Sequence, residues 1–260
     1  MINSVELNNS EMEYIKFGKW NKVFVIIPGL SLKSVLLSEE AILASFSEFT
    51  NEFTVYLFDR IKDIPENYSI YDMAEDTYNA MIKSWIKSCN IFWASQWWMI
   101  AQYIAINHPE FVEKMVLWST TCKIESESKK IISEWIQLAK LGKISELNES
   151  FAKKIYREQT LKEYWDIILK ANSDISDNEL QKFIKLASAL LDFDIEKDLW
   201  NIKCKTLVLW SNDDLVLGWK SSKNLAEKLR CESYMYEWYG HAVYDEAPDY
   251  RGRILKFLRD

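Results

Sequence analysis

Asn90-Ile91-Phe92-Trp93-Ala94-Ser95-Gln96-Trp97-Trp98-Met99 is the stretch on which the reading of this chain turns. Cys89 to Trp93 is a short, mostly apolar run, the pattern of a buried strand. Gln96 to Asn107 reads as a helix stopped by Pro109. Ser95 therefore sits in a sharp turn from strand to helix. Such a turn is cramped, because strand and helix nearly touch on either side of it. Small residues are expected there. Yet Trp93 precedes the serine by two positions, Trp97 follows it by two, and Trp98 comes next.

Working outward, the same rhythm recurs. Lys22 to Ile27 is an apolar run ended by Pro28-Gly29, a strand and then a turn. Ser38 to Phe49 has helical spacing. Phe53 to Phe58 is a second strand, rich in β-branched and aromatic residues. Ser69-Ile70-Tyr71-Asp72 is a capping box that opens a helix. Lys114 to Leu117, Thr206 to Leu209 and Ser233 to Tyr236 are further strands, and Arg253 to Leu258 closes the chain as a helix. Near-continuous apolar strands alternating with helices predict an α/β protein. Its expected core is a doubly wound, mostly parallel sheet with helices on both faces, formed by residues 1–122 and 196–260. The charged, amphipathic segment 123–195 breaks the rhythm and reads as a helical cap inserted between the fourth and fifth strands.

A serine hydroxyl is a poor nucleophile without a base, and the base needs an acid to orient it. In a doubly wound sheet such groups collect in loops at the carboxyl ends of the strands. Three places meet that rule. Ser95 follows the third strand, Asp213-Asp214 the fifth, and His241 the sixth. Alone, each has a plainer reading: a helix cap, a turn, a loop histidine. Their joint order is harder to explain in that way.

In that order the chain resembles the α/β-hydrolase fold superfamily, in its bacterial cap-bearing branch, from about Val23 to Leu258. The stretch around Ser95 is similar to the nucleophile elbow G-x-S-x-G, with Trp93 and Trp97 where the family has glycine. Pro28-Gly29-Leu30-Ser31 is similar to the oxyanion loop. His108-Pro109-Glu110-Phe111-Val112 resembles the helix end that follows the elbow. Gly240-His241-Ala242 with Glu246-Ala247-Pro248 resembles the histidine loop. The resemblance implies a catalytic Ser95, with His241 as base and Asp213 as orienting acid, Asp214 being the alternative. It implies oxyanion donors at the backbone N–H groups of Leu30 and Gln96, and acyl transfer from a small ester, thioester or lactone to water. The rival reading is a non-catalytic ligand- or partner-binding protein of this fold, its elbow blocked by indoles.

Composition restricts the partners. The chain has 260 residues, a net charge of -7 and 48% hydrophobic residues. That acidic balance argues against a nucleic-acid partner and leaves a small-molecule substrate. No apolar run reaches the roughly 20 residues of a membrane helix, so no membrane role is expected. Met1 to Ser10 carries no basic residue and reads as no secretory signal, which makes a cytoplasmic location the expectation. Four scattered cysteines and two histidines carry no metal spacing, so neither metal nor cofactor is expected.

One pair of counts is out of balance. The chain has 12 Trp and only 6 Gly, where glycine usage of about 7% is ordinary. Trp20, Trp85, Trp93, Trp97, Trp98, Trp118, Trp210 and Trp238 all stand where a turn, a cap or a strand end would take glycine. With all eight as glycine the counts would be 14 Gly and 4 Trp instead of 6 and 12. Some bacteria read UGA as glycine and others read it as tryptophan, so misread glycine codons would produce this pattern. The alternative is a chain that is Trp-rich by descent, its core repacked around the rings.

Overall fold

The computed structural model describes residues 2–8, 10–27, 29–94 and 98–260. Eight strands form one sheet: β1 (Ile2–Glu6), β2 (Glu11–Phe17), β3 (Val23–Ile27), β4 (Thr54–Ile61), β5 (Cys89–Ala94), β6 (Val112–Trp118), β7 (Lys205–Ser211) and β8 (Glu232–Tyr236). Their spatial order is β1-β2-β4-β3-β5-β6-β7-β8. From β4 to β8 every pairing is parallel. β1 and β2 add an antiparallel edge. The sequence reading missed both β1 and β2. At the sheet margin β1 alternates only between exposed and partly buried residues, so it carries no apolar run to detect.

Period-two alternation sorts the strand residues onto two faces. Val25, Ile27, Ile91, Met115, Leu117 and Val208 belong to one apolar cluster. Phe24, Ile26, Phe92, Val116, Leu207 and Leu209 belong to the other. The first face is covered by α2 (Ile70–Lys83), α3 (Trp98–Asn107) and α8 (Trp219–Leu229). The second is covered by α10 (Tyr250–Arg259) and by Phe46 and Phe49, which follow α1 (Glu39–Ser45). Burying both faces is what makes the central strands read as unbroken apolar runs.

Local signals set several boundaries. Ser69 caps α2 by accepting from Asp72 N at 3.1 Å, and the Asp72 carboxylate accepts from Ser69 N at 2.9 Å. The helix expected over Ser38 to Phe49 is interrupted: α1 ends at Ser45, and a separate 3-10 turn covers Ser47–Asn51. His108, past the end of α3, stacks on Tyr78 and meets Glu75 of α2 at 3.1 Å, a helix-packing role.

Between β6 and β7 the chain leaves the sheet for four helices: α4 (Ser126–Lys140), α5 (Ile144–Ile155), α6 (Glu158–Ala171) and α7 (Asp177–Leu190). The entry and exit segments pair at an isolated bridge between Lys123 and Asp194. Ile195 N donates to Cys122 O at 2.9 Å, and Ile124 N to Phe193 O at 3.1 Å. The short α9 (Val243–Glu246) lies between β8 and α10. No described helix is long and apolar enough to cross a membrane.

Candidate active site

The parallel register aligns the carboxyl ends of four strands. Ala94 pairs with Trp118, Trp118 with Leu209, and Ser211 with Tyr236. The loops that leave β6, β7 and β8 therefore rise side by side on one edge, next to the end of β5. β5 ends at Ala94 and α3 starts at Trp98. The expected nucleophile Ser95 and oxyanion donor Gln96 fall between them, with Trp97, and lie outside the described residues.

The loop after β7 supplies a carboxylate, and it is that of Asp214. Its Oδ2 stands 2.9 Å from His241 Nδ1, and the side chains of His241 and Asp214 are 1% and 0% exposed. Asp213, the position that the family spacing suggests, is exposed, and its backbone N donates to Ser211 Oγ at 3.3 Å. The turn decides between them. Asp214 Oδ1 accepts from Val216 N at 2.8 Å and from Leu217 N at 3.0 Å, which leaves Oδ2 for the imidazole. Burial by itself would raise the Asp214 carboxyl. The charge of His241, its hydrogen bond and the Leu217 and Val216 N–H groups outweigh burial and hold the carboxyl below its ordinary value.

His241 is held through its own backbone as well. Its carbonyl accepts from Ser119 Oγ at 3.1 Å, just past β6. Ser211 Oγ donates to Tyr239 O. The insertion is tied into the same loop. Ala242 N donates to Ile155 O at 2.9 Å. A Cβ on Gly240 would come within 2.5 Å of that carbonyl, so only glycine fits this approach. The buried Glu246 carboxylate accepts from Gly240 N at 3.2 Å, from Arg157 N at 3.2 Å and from Thr160 Oγ1 at 2.5 Å. Sequence spacing singled out the segment Glu246-Ala247-Pro248 but not the cross-link that Glu246 makes, because its partners lie 86 and 89 positions away.

The second expected oxyanion residue, Leu30, is buried just past β3. Arg60, near the end of the neighbouring β4, donates from Nη2 to Gly29 O at 2.7 Å. Burial lowers the Arg60 guanidinium to about 10, against the raising influence of Asp59. Beside this loop lies a cavity of about 440 Å³, lined in part by Ser31, Lys33, Arg60, Lys182, Phe183 and Leu186. Its walls thus come from the loop after Leu30, from the end of β4 and from α7. Among the described residues, no group of three or more His, Cys, Asp or Glu side chains could hold a metal ion.

No protein-family model matches the chain. It is 26% identical over 203 residues to the protein named "Putative carbamate hydrolase RutD" of Serratia proteamaculans, covering 74% of this chain and 73% of that one. The protein of the same name from Stutzerimonas stutzeri is 23% identical over 241 residues, covering 85% of this chain and 88% of its own. Among solved structures, an α/β-hydrolase enzyme from a Medee basin deep-sea metagenome library superposes with a TM-score of 0.89 at 23% identity, covering 99% and 98% of the two chains. The enol-lactonase of Burkholderia xenovorans LB400 superposes with a TM-score of 0.87 at 15% identity, over 99% and 100%. Its strand order, and its likeness to these structures from end to end, show that this chain has the α/β-hydrolase fold.

Proposed function

We propose that the protein is a serine hydrolase that transfers an acyl group from a small ester, thioester or lactone to water. The observation that carries this reading is the buried Asp214–His241 pair at the carboxyl ends of adjacent strands, 2.9 Å apart. An aspartate accepting from Nδ1–H orients the imidazole and stabilises the imidazolium that forms. Nε2 is then the nitrogen that takes the proton from Ser95 as Oγ attacks the substrate carbonyl. The imidazolium returns that proton to the leaving group. Water, deprotonated in turn by His241, attacks the acyl-enzyme and releases the acid and free Ser95.

The negative oxygen that develops at each attack needs fixed donors, and Leu30 N–H and Gln96 N–H are assigned that role. Arg60 supports the first. In a planar trans peptide the C=O and N–H point in opposite directions. By holding Gly29 O, Arg60 sets the plane of the Gly29–Leu30 peptide and so the direction of Leu30 N–H. The four-helix insertion acts as the cap, fastened to the histidine loop through Ile155 and Glu246. The names of the relatives cover carbamate, lactone and ester hydrolysis, all of which proceed by attack on a carbonyl.

The test uses the chain carrying Trp93→Gly, Trp97→Gly and Trp98→Gly. It is expected to hydrolyse short-chain aryl esters and to lose that activity on Ser95→Ala; activity retained without Ser95 removes the assignment. The tryptophans on either side of Ser95 favour a second reading, a binding protein without catalysis. A fluorophosphonate probe on the folded chain as written separates the two. Labelling at Ser95 supports the enzyme, and no labelling supports the binder.

A further inference from the structure

We propose that the tryptophans at 85, 93, 97, 98, 118, 210 and 238 are glycines in the protein the cell makes, encoded by UGA read as glycine. At 85, 118, 210 and 238 this does not rest on the hydrolase reading; at 93, 97 and 98 it does. It rests on backbone and packing marks at four of these positions, and on the elbow pattern at the other three.

Trp85 carries the clearest mark. It follows the C-terminus of α2 at φ +64° and is 92% exposed. Trp85 N donates to Ile82 O at 3.0 Å and Ile86 N to Met81 O at 3.1 Å. That pair of bonds is the Schellman helix stop, whose left-handed residue is usually glycine. The same stop ends α4, where Gly142 N donates to Ala139 O, Lys143 N to Leu138 O, and Gly142 has φ +66°. Arg230 holds the corresponding place after α8, so the motif admits a side chain under strain. Trp238 repeats the mark in the turn that leads to Gly240 and His241, with φ +70° and 72% exposure. Four non-glycine residues among those described have positive φ, and two of them are tryptophans. Only 12 of the 260 residues are tryptophan, so chance does not account for this share. A largely exposed indole in a left-handed turn buries little apolar surface to offset its strain.

Trp118 and Trp210 carry a different mark. Both are buried at or near the ends of central strands, and the indole Nε1 of each has no hydrogen-bond acceptor among the described residues. A tryptophan settled in a core normally donates that N–H. Trp135 does so, giving Nε1 to Ser150 Oγ at 3.2 Å while its ring packs on Phe151. Trp20 also behaves as a tryptophan, donating Nε1 to Thr50 O at 2.7 Å, and is left out of the set. Trp93 lies on β5 in register between Ile27 and Leu117, and Trp98 begins α3. With Trp97 they are assigned by the elbow pattern around Ser95.

The test is peptide mass spectrometry of the protein isolated from its source cells, together with the gene. The tryptic peptide 88–114 covers positions 93, 97 and 98, the peptide 231–251 covers 238, and the peptide 131–140 covers 135. Glycine in the first two with tryptophan retained in the third, and UGA codons at the seven positions beside UGG at 135, are the expected results. Tryptophan in either of the first two peptides, or UGG at the seven positions, overturns the proposal. Activity plays no part in this readout. A glycine form that fails to hydrolyse esters would count against the hydrolase reading and leave this assignment standing.

Discussion

Asp214 Oδ2 and His241 Nδ1 stand 2.9 Å apart with both side chains buried, while Asp213, one residue earlier, faces solvent. The two aspartates should therefore respond very differently to loss of charge. Asp214→Asn is expected to lower kcat by about ten-thousand-fold, the scale on which a wrongly held histidine tautomer acts. Asp213→Asn is expected to stay within about threefold of the parent, since exposed positions away from the site are near neutral. Steady-state hydrolysis of an aryl ester by both variants decides the matter, and equal losses would contradict the geometry.

The same carboxylate should make stability depend on acid. Its folded pKa is lowered. Its stabilising contribution is therefore complete above the unfolded value of about 3.9, and is lost as pH falls through the lower folded value. The difference in urea midpoint between the parent and Asp214→Asn should be widest near neutral pH and shrink below about pH 4. A difference that widens on acidification would reverse the sign of the coupling.

Arg60→Met should separate kcat from KM. The guanidinium grips Gly29 O rather than closing the triad. Removing a whole oxyanion donor costs about a hundred- to a thousand-fold in kcat. A donor left in place but free to swing should cost less, about ten- to a hundred-fold, with KM little changed. Arg60→Lys should recover part of the loss. A change confined to KM would assign Arg60 to substrate binding instead.

Glu246 joins the histidine loop to the insertion by accepting from Gly240 N, Arg157 N and Thr160 Oγ1. Glu246→Ala strands those donors and should destabilise the fold by about 1–3 kcal/mol. Glu246→Gln retains an acceptor oxygen and should lose less. Thermal melting of the two variants reads the difference; equal effects would mean that the carboxylate's contacts are not what holds the loop.

Trp85→Gly and Trp238→Gly should each stabilise the chain as written. Relieving a left-handed residue recovers about 1–2 kcal/mol, and the added backbone freedom of glycine returns part of that, leaving about 0.5–1 kcal/mol. Trp135→Gly, which empties a core site and loses a hydrogen bond, should instead cost about 3–5 kcal/mol. Chemical denaturation of the three variants gives the order, and a loss of stability at 85 and 238 would remove the strain argument.

The central strands, the capping box at Ser69 and the order of serine, aspartate and histidine are written in the sequence by itself. Each depends on residues adjacent in the chain or spaced by the period of a strand or helix, so local patterning specifies it. What only the tertiary structure decided involves residues far apart in the chain. Asp213 and Asp214 are alike in composition and differ in which way the turn throws them. That direction follows from two backbone N–H groups at 216 and 217 seizing one oxygen of Asp214. The edge strand β1 has no apolar signal of its own, because its pairing with β2 is made by the backbone. The hold of Arg60 on Gly29 spans 31 positions, and that of Glu246 on Arg157 spans 89. The tryptophans lie between these cases: their number is plain in the sequence, but the left-handed backbone that favours glycine at 85 and 238 exists only once the helix stop and the histidine loop have folded.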